Sequence, residues 1–196
     1  MKMLGLLKKL LDCEPLPARE ISYDHFDKVV ACIEKEEMRA ARQLIESSFS
    51  EQILDIRLVF YFFYDYFLEE GVQALEEILP LIRSLATTYF PLLVPLQKKE
   101  THFQNSQNWF FSKVLQKLKH GERLSKTGKK SPFLQKCVEK VDENGWVSIL
   151  NSLSDFHQFF YAHFPSSSVK EKVSHLVKRI EELKPVVEPL IQKEGA

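Results

Sequence analysis

Apolar residues recur at three- and four-residue intervals along almost the whole chain, the period of an amphipathic helix rather than of a strand. Leu4, Leu7, Leu10 and Leu11 share one face of a short amphipathic helix within residues 1–15. Lys8 and Lys9 interrupt this apolar stretch and no small-residue cleavage site precedes Pro15 and Pro17, so a signal peptide is not the reading. The helix is expected to dock on its own domain, with a membrane-surface or partner-binding role as the alternative. After a proline-containing linker over residues 12–22, Phe26, Val29, Val30 and Ile33 resume helical spacing, and Ser22 and Asp24 both suit an N-cap. Ala40, Ala41, Leu44 and Ile45 line one side of a second surface helix over about 37–47.

Residues 53–70 depart from this pattern. Seven of the eight residues 60–67 are aromatic and point in every direction, and a helix that is apolar all round is normally enclosed by others. A strand competes for such a run; its length and the charges at its ends select helix, and Gly71 falls where a left-handed C-terminal cap belongs. Leu75, Ile78, Leu79, Ile82, Leu85 and Ala86 continue a stripe in which Pro80 should bend the helix, until Pro91 and Pro95 close it. Trp109, Phe110, Val114, Leu115 and Leu118 form the inward face of a helix over 106–120.

Residues 119–130 hold one aliphatic side chain and two glycines and read as an exposed basic loop. Ser131 and Pro132 resemble an N-cap and first-turn proline opening a short helix through Val141, and Asn144-Gly145 breaks the chain again. Trp146, Ile149, Leu150, Leu153, Phe156, Phe160 and Phe164 then define one helix. Val169, Val173, Leu176, Ile180 and Leu183 define the next with heptad spacing, and Pro185 and Pro189 should kink or end it. The short Pro165-Ser-Ser-Ser connection predicts a C-terminal helical hairpin over 146–184 whose seam is satisfied internally, a second copy of the chain being the alternative partner. The expected fold is all-α: a multi-helix bundle of antiparallel helices ending in that hairpin, with a single domain over 16–190.

Composition agrees, since 6 glycines against 15 phenylalanines in 196 residues are too few turn residues for a β-sandwich. Twenty-seven basic and 27 acidic side chains cancel, which removes any global field toward polyanions. Cys13, Cys32 and Cys137 fit neither a disulfide framework nor a metal knuckle and read as reduced, packed thiols of a cytoplasmic protein. The most apolar window, 53–68, carries Asp55, Arg57 and Asp65 and is shorter than the ~20 residues a bilayer needs.

Candidate chemistry is sparse. Six residues separate Gly121 from Gly128, and Lys129-Lys130 follows instead of the Lys-Ser or Lys-Thr of a phosphate-binding loop. His25, His102, His120, His157, His163 and His175 include no pair spaced to aim two imidazoles at one metal, and no nucleophile motif is present. The expectation is therefore no catalytic, cofactor-binding or metal-binding residue, no cofactor, and a protein that is not an enzyme. Lys113, Lys117, Lys119, Arg123, Lys126, Lys129 and Lys130 can reach phosphates. Their first reading is a solvated helix end complementing its dipole, so nucleic acid is not the expected partner.

Short motifs add a resemblance. Tyr23-Asp24-His25-Phe26, then Asp55-Ile56-Arg57-Leu58-Val59, Glu70-Gly71-Val72, Tyr89-Phe90-Pro91 and Asn108-Trp109 stand in the order found in the amino-terminal domain of the TssA (ImpA) family, components of bacterial type VI secretion systems. With the closing segment 156–169 onward, the chain resembles that domain over about residues 16–185. The resemblance marks Tyr23, Asp24, Phe26, Asp55, Arg57, Gly71 and Trp109 as family-motif positions with mostly structural roles. Two departures stand out: Ala18-Arg19-Glu20-Ile21 replaces the Gly-containing pattern that precedes the Tyr-Asp pair, and the ring-forming C-terminal domains of the family do not follow. The implied function is a non-enzymatic assembly or docking component that binds other apparatus proteins, such as baseplate, sheath or membrane-complex subunits. The alternative is a small helical adaptor or chaperone of another system, and a weaker third class is a nucleic-acid-associated helical protein acting through residues 113–130.

Overall fold

Leu4, Leu7 and Leu11 are buried on the first helix, α1 (Gly5–Asp12), which packs on α3 (Met38–Ser50) rather than standing off the fold. That is the docking expected of its apolar face, with Leu10 only half-buried. The computed structural model describes residues 4–12, 19–163 and 169–194, with side chains at 138, 143 and 184–194 outside that set. The expected linker lies largely outside the described residues, as do Cys13 and the Pro165 turn. Nine α-helices and two 3-10 turns make up the described regular structure, with no strand beyond one isolated bridge. The fold is all-α.

Caps explain where several helices begin or end. Ser22 Oγ accepts from His25 N at 3.3 Å and opens α2 (Tyr23–Glu34), settling the choice between Ser22 and Asp24. The core helix α4 (Ile56–Glu70) ends at Gly71, whose φ of 74° is the left-handed cap expected there. A 3-10 turn, Gly71–Gln73, leads into α5 (Ala74–Thr87), which continues through an exposed Pro80. Lys136 Nζ donates to Leu68 O at 3.1 Å and Lys140 Nζ to Glu69 O at 3.4 Å, satisfying carbonyls that the end of α4 leaves open. Gly71 also packs tightly, since a Cβ there would lie 3.0 Å from Cys137 Sγ. Gly71→Ala therefore combines backbone strain with a crowded contact and should cost about 1–3 kcal/mol, read as a lower midpoint in urea unfolding. A Gly71→Ala protein as stable as the parent would contradict this account.

The predicted basic loop at 119–130 is corrected by the structure. Helix α6 (Lys99–Lys126) runs straight through it, and only residues 127–131 connect to α7 (Pro132–Lys140). Gly121 does not break the helix; its missing side chain admits α7, since a Cβ there would sit 2.8 Å from Leu134 Cγ. Ser131 caps α7 by accepting from Leu134 N, with Pro132 in the first turn. The next break is likewise displaced, because Asp142 Oδ1 accepts from Gly145 N at 2.7 Å and so begins α8 (Glu143–His163) ahead of Asn144-Gly145. The last helix, α9 (Val169–Glu194), does not end at Pro185 or Pro189.

Contacts divide the chain into two compact units. The first comprises residues up to 66 with 84–106; the second comprises 67–83 with 107 onward. In the first, Phe60, Phe62 and Phe63 of α4 have no exposed surface, and Phe62 meets Phe49 of α3 edge-on at 5.3 Å between centroids. Asp65, the one non-aromatic residue of the run, is buried and accepts from Arg42 Nε at 2.5 Å. In the second, Trp146, Phe110, Phe111 and Phe160 are buried, and α9 packs on both α7 and α8. Val169, Val173, Leu176, Ile180 and Leu183 are each at most 1 % exposed, so the heptad seam is covered within this chain. Where α8 and α9 meet, His157 Nε2 lies 2.8 Å from Ser174 Oγ and Lys170 Nζ sits 3.5 Å above the Tyr161 ring. Among the described residues no helix is long and apolar enough to cross a membrane.

Candidate functional site

Of the positions that the resemblance singles out, those in the first unit build one joint and leave Tyr23 and Asp24 outside it. Asp55 immediately precedes α4 and is fully buried, held by a backbone bridge in which Val94 N donates to Leu54 O and Ile56 N to Val94 O. Its carboxylate faces the helix it opens: Oδ1 accepts from Arg57 N at 2.9 Å and Arg57 Nε at 3.0 Å, and Oδ2 accepts from Arg57 Nη2 at 2.6 Å. One carboxylate thus caps the helix and pairs bidentately with the guanidinium. The Arg57 Cζ lies 3.9 Å from the Phe26 ring centroid, and Phe26 stacks on Tyr61 at 6.5 Å. Burial works against the Arg57 charge, but the hydrogen bonds and charge of Asp55 outweigh it and hold the guanidinium above its ordinary value. Burial likewise pushes the Tyr61 phenol up, with Arg57 pulling the other way.

Tyr23 begins α2 three residues before Phe26 and is 86 % exposed, so the joint does not use it. Asp24 beside it points to solvent and pairs with Lys28 at 2.7 Å, which lowers its carboxyl. Glu20 Oε1 accepts from Leu96 N at 2.8 Å, tying the entry to α2 to the segment after Val94, where Leu96 is 55 % exposed. Tyr23 and Leu96 are both large exposed side chains, Leu96 on the residue bonded to Glu20 and Tyr23 three residues after Glu20 in the chain. Leu96 carried no signal in the sequence, because it belongs to no periodic face. Gly71 and Trp109, the other motif positions, belong to the second unit, where Gly71 is the cap already described and Trp109 is half-buried on α6, less inward than its spacing implied.

Two constellations with the look of chemistry have structural explanations. His25 Nε2 lies 3.1 Å from Ser48 Oγ, but the same nitrogen is 3.0 Å from Leu44 O and the hydroxyl also donates to that carbonyl at 3.2 Å. A nitrogen that donates to a carbonyl cannot take a proton from the serine, and Ser48 is buried. Cys137 is also buried, and burial pushes its thiol up to about 11, so at neutral pH it is no thiolate nucleophile. Because the unfolded thiol titrates near 9.0, the folded form binds its proton more tightly, and the stability this provides is complete below pH 9 and lost as pH rises to 11. Replacing Cys137 by Ala should remove roughly 2–3 kcal/mol of this alkaline decline, measured by denaturant unfolding across that window. An unchanged pH dependence would assign the decline to other groups. Among the described residues no three His, Cys, Asp or Glu side chains are grouped to hold a metal ion.

What these features define is an all-α, multi-helix protein with a buried charged joint and an exposed Tyr23 and Leu96. No family model, curated protein or solved structure matches the chain.

Proposed function

We propose that the chain is a non-enzymatic docking component that binds other proteins through the corner at Tyr23, as a cytoplasmic assembly factor of a type VI-like contractile secretion apparatus. The observation that carries the binding role is Tyr23 itself: a motif residue that the fold leaves 86 % exposed, three residues after the Glu20 that accepts from the N–H of an exposed Leu96. Tyrosines in such settings are frequent energetic anchors of interfaces, offering a large amphipathic surface at small entropic cost. The Asp55–Arg57–Phe26 stack beneath supports this reading by holding the start of α2 fixed, so that a partner meets a preorganised surface. The assignment to a secretion apparatus rests on the motif resemblance to the TssA amino-terminal domain.

Affinity capture from the native cells tests both parts. Sheath, baseplate or membrane-complex subunits should co-purify with the parent chain, and Tyr23→Ala with Leu96→Ala should lose them at unchanged thermal stability. Capture that is indifferent to both substitutions would reject the corner, and a partner set without contractile-apparatus proteins would reject the apparatus.

A further inference from the structure

The course of α6 changes the meaning of the basic segment. Lys119 and Lys126 are carried on one flank of the solvent side of a continuous helix and Lys113 on the other, about 120–140° round its axis, and Lys129 and Lys130 follow its end. From 113 to 126 the rise is about 20 Å. These five lysines have no hydrogen-bond, ion-pair or ring partner among the described residues. Every other Lys or Arg of the second unit whose side chain is described has one, either outside this segment, as in Lys140 on Glu70, Lys172 on Ser112 and Arg179 on Glu122, or within it, as in Lys117 over the Phe133 ring and Arg123 against His120. Residues 101–130 include one acidic side chain, Glu122, and it is buried against Arg179. Dipole compensation accounts for Lys126 in the last turn but not for Lys113 or Lys119, because that effect fades within one turn.

We propose that the solvent side of α6, flanked by these lysines, binds the phosphate backbone of duplex nucleic acid without reading its sequence. Among the described residues the large apolar side chains with substantial exposure are Tyr23, Leu96, Val147 and Tyr161, and none stands on α6. It therefore lacks the wedge a membrane-binding helix inserts and the exposed aromatics that stack single-stranded bases. Protein interfaces are depleted in lysine, whereas lysine suits phosphate as a compact point charge. A net charge of zero does not oppose this, since the field that matters is local to these lysines. The inference is independent of the docking function proposed for Tyr23.

Fluorescence anisotropy with the full chain and a labelled 20-base-pair DNA duplex of arbitrary sequence tests it. With five phosphates neutralised, affinity should fall roughly 500-fold between about 50 and 200 mM salt, a slope near −4.5 in log K against log salt. Lys119→Glu and Lys126→Glu should each weaken binding about tenfold in about 50 mM salt, while Lys178→Glu, an exposed reversal on α9, should leave it unchanged within about twofold. Circular dichroism checks folding; where a Glu variant fails to fold, Lys119→Gln and Lys126→Gln should each lower the slope by about 0.9. The proposal is overturned by absence of saturable binding in about 50 mM salt, by equal weakening from Lys178→Glu, or by a slope that the Gln variants leave unchanged. It is also overturned if poly-L-glutamate displaces the duplex at equal charge concentration, which would assign the face to acidic protein, or if anionic phospholipid vesicles take up the chain and the duplex does not.

Discussion

Leu176→Asp should leave the second unit unfolded under conditions where the parent is stable. Leu176 has no exposed surface, and its neighbours along the seam, Val173 and Ile180, have none either. Truncating a buried leucine to alanine alone costs about 2.7–5 kcal/mol, and a carboxylate adds the desolvation of an unpaired charge. The sum approaches the 5–15 kcal/mol that holds a typical domain together. Because the seam is covered by α7 and α8 of the same chain, the substitution acts by unfolding and not by separating two copies. Light scattering of parent and variant with circular dichroism gives the reading: loss of helix signal is expected, with Leu176→Met within about 1.5 kcal/mol of the parent. A dimer that Leu176→Asp turned into a folded monomer would contradict an internally satisfied seam.

Arg57→Ala is expected to be the most damaging single change in the first unit. It leaves Asp55, whose side chain is 0 % exposed, without the guanidinium that takes up both of its oxygens. Removing one member of a buried pair typically costs about 3–5 kcal/mol, because the remaining charge stays desolvated. Asp55→Ala forfeits the pair and the cap to Arg57 N together. The double variant should be less destabilised than the sum of the two, since it leaves no orphaned carboxylate; a coupling of at least about 1 kcal/mol from chemical denaturation is the expected sign. Partner binding by the surviving folded fraction should remain near the parent level. A large loss of affinity at unchanged stability would show that Asp55 and Arg57 contact the partner directly.

These outcomes separate architecture from recognition within one motif. Phe26, Asp55 and Arg57 are consumed by the fold, whereas Tyr23, six residues before the buried Val29 of the same helix, is not. The α6 lysines extend that distinction to charge: cations with internal partners hold elements together, and those without remain available to an anion.

Much of this was legible in the sequence because the deciding interactions are local. Helical periodicity identified the all-α class, the enclosed aromatic run at 60–67 and the seam at 169–183, since side-chain direction follows from the 3.6-residue period alone. Ser22, Gly71 and Ser131 announced helix ends because a cap is completed within three residues of itself. Where the sequence misled, a distant residue decided. Gly121 reads locally as a breaker and is helical because Leu134 packs against it, and the lysines around it are therefore ranged along a helix instead of scattered in a loop. Asn144-Gly145 reads as a turn and lies inside α8 because Asp142 supplies the cap. Exposure was the least legible quantity. Leu96 is tied to the entry of α2 by a hydrogen bond from its N–H to Glu20, and a contact across 76 residues leaves no trace in any window of the sequence. Periodicity dictates which way a side chain points along its own helix; whether anything stands there to cover it is decided by the packing of other elements.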